Sequence, residues 1–238
     1  LMRSMRYAIN LLWIQNNGSP KHPNPFIYHA HKLKNTDPNT QPSAQERIEN
    51  ELFLPALRWA QHNPEATVYI WYDSTKVSAE SINNTHLVLN RYKDKHHCNS
   101  IALRDIQDIA VVHNNPLIFS NRMGLYARVD FLKIILGHYC LHVEAFDHCI
   151  YTDITQPNQY LGADSLFSET ALSSLESHGI LINYKFIGPY ILDKNTTIKP
   201  NGGENQFIQF AKNPTLELVL TDVINAGVIQ AAHQLQQP

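Results

Sequence analysis

Three short apolar runs that each close on polar residues constrain the fold of this chain more than any other feature. They are Ala8 to Ile14 before Gln15, Ala66 to Tyr72 before Asp73-Ser74, and Cys149 to Ile154, which carries Asp153 at its tip and ends at Gln156-Pro157-Asn158. Runs this short, rich in β-branched and aromatic residues, read as strands buried on both faces. A fourth strand is expected over Ser100 to Ile106 and a fifth over Ile180 to Phe186.

Helical patterns separate them. Ser43-Ala44-Gln45-Glu46 has capping-box spacing and starts a helix that runs to Asn63-Pro64, with Pro55 expected to kink it. Further helices are expected over Ser78 to Tyr92, from Leu125 to Gly137 or beyond, and near Ser168 to His178, with a final αβ segment from Glu204 to about Gln236. Strands alternating with helices at this spacing predict an α/β fold, a mainly parallel sheet flanked by helices. The 238 residues suit a single domain, 1–238, in which the stretch 18–42, with five prolines, is an irregular excursion.

Charge and cysteine content narrow the functional classes. A net charge of −2 argues against a nucleic-acid footprint. No unbroken apolar run reaches the roughly 18 residues of a membrane span, so no transmembrane segment is expected. The three cysteines, Cys98, Cys140 and Cys149, include no CxxC pair and predict neither a disulfide framework nor a zinc site. His142, Asp147, His148 and Cys149 match no standard zinc spacing either.

In an open parallel sheet, ligands bind outside the carboxyl ends of the strands. Gln15, Asp73 and Asp153 therefore mark the edge where chemistry is expected. The segment Tyr126-Ala127-Arg128-Val129-Asp130-Phe131-Leu132-Lys133 places Asp130 and Lys133 on one helical face, and Tyr151-Thr152-Asp153-Ile154-Thr155 brings a second acid to a strand tip. Asn10-Leu11-Leu12-Trp13-Ile14, Val68-Tyr69-Ile70-Trp71-Tyr72-Asp73-Ser74 and Gly203-Glu204-Asn205-Gln206-Phe207 accompany them in order along the chain.

This ordered set resembles the GT-A fold DXD glycosyltransferases typified by the catalytic domains of large clostridial glucosylating toxins and related bacterial effectors, over roughly residues 8–215. The resemblance implies a Rossmann-like nucleotide-sugar-binding fold and transfer of a sugar, with retained configuration, from a nucleotide sugar to an acceptor. The implied donor is a UDP-hexose such as UDP-glucose or UDP-N-acetylglucosamine, and the implied acceptor is a protein of a host cell whose cytoplasm a secreted, soluble effector enters.

Residue by residue, the resemblance gives Trp13 the role of stacking on the base. Asp73, Asp130, Lys133, Tyr151 and Asp153 become donor-binding positions, and Asp130, Asp153, Glu204 and Asn205 surround the transferred sugar. A divalent cation, Mn²⁺ or Mg²⁺, falls to Asp153 and Thr155. Thr155 stands where the family has its second acid, and a neutral hydroxyl predicts weak metal binding. Lys133 stands where the family has an Arg, so the charge is kept without the bidentate fork. Asp130 and Asp153 are 23 positions apart, which predicts a longer helix through Leu141-His142-Val143-Glu144 or an added loop. Glu144 or Asp147 folding back beside Asp153 would replace the missing acid. A second functional class also follows from Thr155: a catalytically impaired descendant of the fold that serves as a protein-binding module.

Overall fold

The computed structural model describes residues 5–14, 43–119, 124–152, 160–184, 190–191, 197–198 and 203–235. The chain enters on β1 (Tyr7–Leu12), whose residues are all buried. Two helices follow, α1 (Ala44–Ile48) and α2 (Leu54–His62), joined without a break by a π-helical turn over Glu49–Phe53. The Ser43 capping box starts α1, with Ser43 Oγ accepting from the Glu46 amide and Glu46 accepting from the Ser43 amide. Pro55 does not break the helix. It sits in the first turn of α2, where its missing N–H is tolerated, and the wider π turn before it absorbs the strain.

Next come β2 (Thr67–Tyr72), α3 (Ala79–Lys95) and β3 (Ile101–Asp105). A short α4 (Ala110–His113) and the long α5 (Leu125–His142) lead to β4 (His148–Thr152). The helix runs on to His142, two residues short of the expected Glu144, and so takes up part of the added spacing between the two acids. Helices α6 (Ala163–Leu166) and α7 (Glu169–His178) precede β5 (Ile180–Tyr184), and Gly179 closes α7 at φ 72°, the left-handed geometry that favours glycine. A two-strand ribbon, β6 (Tyr190–Ile191) with β7 (Thr197–Ile198), leads to β8 (Gly203–Ala211) and α8 (Pro214–Leu235).

The six-stranded sheet has the order β3-β2-β1-β4-β8-β5. The first four strands are parallel, whereas β8 runs antiparallel to both neighbours, so the sheet is mixed but mainly parallel, with helices on both faces. One face packs on α1 to α3 through Ile9, Leu11, Val68 and Ile70 against Leu52, Phe53, Leu57 and Trp59. The other packs on α5 and α8 through Ala8, Trp71, Cys149, Tyr151 and Phe210 against Leu132, Leu136, Cys140 and Leu220.

Asn10 is fully buried in the middle of β1 and fixes the strands laterally. Its side chain accepts from Trp71 Nε1 at 2.8 Å on β2 and donates to the Ile150 carbonyl at 3.1 Å on β4. Both bonds need Asn10 on the α5 face, so a one-residue slip would orphan them.

The helix α8 runs antiparallel along α5. Gly227 admits the Phe131 ring, Thr221 meets His138 at 3.3 Å, and His142 meets Glu217 at 3.6 Å. Over Pro214–Gln234, 21 residues, it is long and apolar enough by length and composition to cross a membrane. Glu217 and Asp222 interrupt the apolar run, so the segment is apolar in sum without an unbroken apolar span.

Behind β2 and β3, Arg104 stacks over Tyr69 at 4.9 Å and Trp71 at 4.8 Å, and its Nη1 pairs with Glu144 Oε1 at 2.6 Å. Tyr69 donates to the other Glu144 oxygen at 2.8 Å. Both charges keep some solvent contact, which screens the pair. Glu144→Gln should therefore lower unfolding free energy by about 1–2 kcal/mol in urea titration; no change would show that stacking alone holds Arg104.

Candidate active site at the carboxyl edge of the sheet

The chain runs from β1 outward through β2 to β3 and then returns to the other side of β1 as β4. The strand order thus reverses between β1 and β4, and the crevice outside their carboxyl ends is the place where such sheets bind ligands.

Trp13 leaves β1 at this edge. Its amide donates to the Trp71 carbonyl at 2.8 Å, and its half-buried indole packs on the α2 side. On β4, Tyr151 is buried, and the Lys133 ammonium of α5 lies 4.8 Å from the centre of its ring. Lys133 is itself buried and pairs with the exposed Asp130 at 3.5 Å, so the two residues share a helical face as their spacing predicts. Glu204 and Asn205 lie in the opening residues of β8. Because β8 is antiparallel to β4 with Thr152 opposite Phe207, they fall at the carboxyl edge of β4. Asp153, Thr155 and the 18–42 excursion lie outside the described residues.

The densest polar cluster stands at the end of β2. Asp73 is 1% exposed, and its Oδ1 accepts from the Thr75 amide at 2.9 Å, the Thr75 hydroxyl at 2.7 Å and Gln107 Nε2 at 3.1 Å. Its Oδ2 is buried and receives no hydrogen bond. A buried acceptor left in that state costs about 1–3 kcal/mol and calls for an explanation, one of which is a bound group that supplies the donor. Two buried cations feel the Asp73 charge: Lys76, 5% exposed, whose amide donates to the Asp73 carbonyl at 3.0 Å, and Arg128, 2% exposed on the first turn of α5, whose Nη1 donates to the Phe119 carbonyl at 3.4 Å. Burial lowers the pKa of both; for Lys76 the Arg128 charge adds to the effect, and for each Asp73 opposes it.

Sequence reading gave Asp73 a role but passed over Lys76, Arg128 and Gln107. A signal existed for Arg128: α5 carries apolar residues around its whole circumference, as a buried helix does, so a cation near its start could not simply face water.

Glu144 and Asp147 do not stand in for the missing acid. Glu144 is held by Arg104 and Tyr69. Asp147 accepts from the Arg6 amide at the amino end of β4, about 16 Å of extended strand from Thr152. Among the described residues no group of three or more His, Cys, Asp or Glu could hold a metal ion.

At that amino edge, Asp147, His148, Leu172, Glu176 and Lys212 line an open groove. The His148 ring packs at a tilt against Phe167, centroids 4.9 Å apart, and its buried Nδ1 makes no hydrogen bond. Burial depresses its pKa, against the opposing charge of Asp147. The unfolded chain therefore takes up this proton first as pH falls, and stability should drop below about pH 6.5 by at most ~1.4 kcal/mol per pH unit for this group. Thermal melts of His148→Phe between pH 7 and 5 should show a shallower decline than the parent; an identical slope would remove His148 from the acid response.

No family model and no curated protein matches the chain. Among solved structures, it is similar to one described as PaToxG glycosyltransferase, with TM-score 0.38, 15% identity, and coverage of 95% of this chain and 68% of that one. It is also similar to a transferase solved as a double cysteine-to-serine mutant, with TM-score 0.45, 13% identity, and coverage of 93% and 84%. Overlaps this loose define no family, and the α/β class rests on the strand order and directions of the sheet itself.

Proposed function

We propose that the chain is a glycosyltransferase of the GT-A kind that binds a nucleotide sugar, a UDP-hexose, across the carboxyl ends of β1, β2 and β4. The observation that carries this reading is the Asp73 cluster: a buried carboxylate with one oxygen awaiting a donor, flanked by two buried cations, next to the point where the strand order reverses. Hydroxyl groups of a ribose or hexose suit the orphan oxygen, and the diphosphate suits the cations. Trp13 supplies the aromatic face for the base.

In this reading Asp130, Asp153, Glu204 and Asn205 address the transferred sugar, and Lys133 and Tyr151 form the wall between them. The acceptor oxygen or nitrogen bonds the anomeric carbon as the bond to the β-phosphate oxygen breaks. The bonding pair leaves on the diphosphate, and the acceptor proton passes to solvent. Stabilising the charge that develops on the leaving oxygen is the protein's main task. The acceptor is a protein, and the setting is that of a bacterial effector in a host cell; both follow from the motif resemblance. Thr155 alone favours a non-catalytic binding module.

Calorimetric titration with UDP-glucose and UDP-N-acetylglucosamine tests the reading. Saturable binding that Trp13→Ala weakens by about tenfold or more is expected from the loss of base stacking, with release of UDP on incubation. Binding without any turnover would select the non-catalytic module, and no binding of either donor would end the donor reading.

A further inference from the structure

We propose that the seam between α5 and α8 is an acid-sensitive clasp: protons taken up by its two histidines loosen α8 from α5 while the sheet stays folded. The clasp stands apart from the donor reading above. Helix α8 is held along one stripe. Its buried residues Leu216, Leu220, Ile224 and Ala231 recur at helical spacing, and Gly227 lets the Phe131 ring approach where a Cβ would lie 2.8 Å from it. The start of the helix is fixed separately, because Asn213 Oδ1 accepts from the amides of Thr215 and Leu216 at 3.0 Å each. On the outer side Leu218, Val219, Val223 and Ile229 are exposed, so the α5 seam is the chief contact that keeps α8 in place.

Half of that stripe is titratable. His138 and His142, one turn apart on α5, put their rings 4.9 Å apart. Thr221 Oγ1 of α8 meets His138 Nε2 at 3.3 Å, and Glu217 Oε1 of α8 meets His142 Nδ1 at 3.6 Å. The charges that act on His138 are His142 on its own helix and Glu217 across the seam. One proton on His142 completes an ion pair with Glu217 and favours docking. A second, on His138, sets two imidazolium rings side by side with one half-exposed carboxylate to balance them. Burial, the larger cause, and the neighbouring His142 charge hold the His138 pKa below its ordinary value, and Glu217 opposes them. Undocking frees the ring from α8 and returns its pKa toward about 6.5, so the undocked state binds this proton more readily. Docking therefore keeps its full strength above about pH 6.5 and weakens as pH falls below it.

Amide hydrogen exchange, corrected for the intrinsic exchange rate at each pH, tests the clasp on the full chain, on His138→Gln and on His148→Phe as a control. Protection of the α8 amides in the parent should fall by about tenfold between pH 7 and pH 5, since one such group contributes at most about tenfold per pH unit. The β1 amides should stay better protected than those of α8 at every pH, which marks release of the helix rather than unfolding of the chain. His138→Gln keeps a hydrogen-bonding group toward Thr221 but takes up no proton, and should hold the α8 fall to within about threefold. His148→Phe should leave that fall as in the parent. An α8 protection that does not change with pH, a fall that persists in His138→Gln, or α8 and β1 amides that exchange alike throughout would overturn the proposal. Should His138→Gln fail to fold by circular dichroism, Glu217→Gln decides: without the carboxylate that balances the two rings the fall should steepen, and an unchanged fall would overturn the proposal equally.

Discussion

Gly137→Leu is expected to destabilise the chain by roughly 3 kcal/mol or more, enough to unfold a marginal domain. A Cβ at this position would lie 2.8 to 3.0 Å from three ring atoms of Phe210, which is itself 1% exposed on β8. The ring cannot swing aside, because it is packed between α5 and the sheet. Phe210→Ala alone should cost about 3–5 kcal/mol by opening a cavity. The double variant Gly137→Leu with Phe210→Ala should be more stable than the sum of the single losses predicts, since the new side chain enters the vacated volume. Urea unfolding of the four proteins checks this; strict additivity would mean that the α5–β8 contact is not the tight one described.

Asp73→Ala should cost roughly 3 kcal/mol. It removes the acceptor of three hydrogen bonds and the carboxylate beside Lys76 and Arg128. Asp73→Asn is expected to separate structure from function. It keeps Oδ1 as an acceptor, so stability should fall by only about 1 kcal/mol, but it converts the orphan oxygen into an amide donor and should abolish measurable donor binding. Equal stability losses in Ala and Asn, with donor binding unaffected in Asn, would reduce Asp73 to a loop brace.

Most strands are readable in the sequence because a strand covered on both faces is apolar at nearly every position, Asn10 being the exception in β1; β1 differs from its expected span at its ends, and β4 starts one residue before its expected span. The alternation of strands with helices likewise carried the α/β class. The insertion of β8 between β4 and β5 was not readable, because an antiparallel central strand has the same apolar run as a parallel one and its place depends on distant pairing. The π turn before Pro55 was equally hidden: the proline announced a disturbance but not its form.

At the site, sequence spacing correctly put Asp130 and Lys133 together because they share one helix. It could not assemble Asp73 with Arg128, which come from separate elements 55 positions apart, nor could it show that Arg104 and Glu144, 40 positions apart, satisfy each other. In both cases the partners come from distant elements that only tertiary packing brings together.

The most direct test of the central claim, that the carboxyl edge of the sheet is the donor site, is amide hydrogen exchange of the chain with and without saturating UDP-glucose. Slower exchange confined to the end of β1, the Asp73–Lys76 turn and the first turns of α5 is the predicted result. Protection centred instead on the amino-edge groove around Asp147, His148 and Lys212, or no protection anywhere, would contradict it.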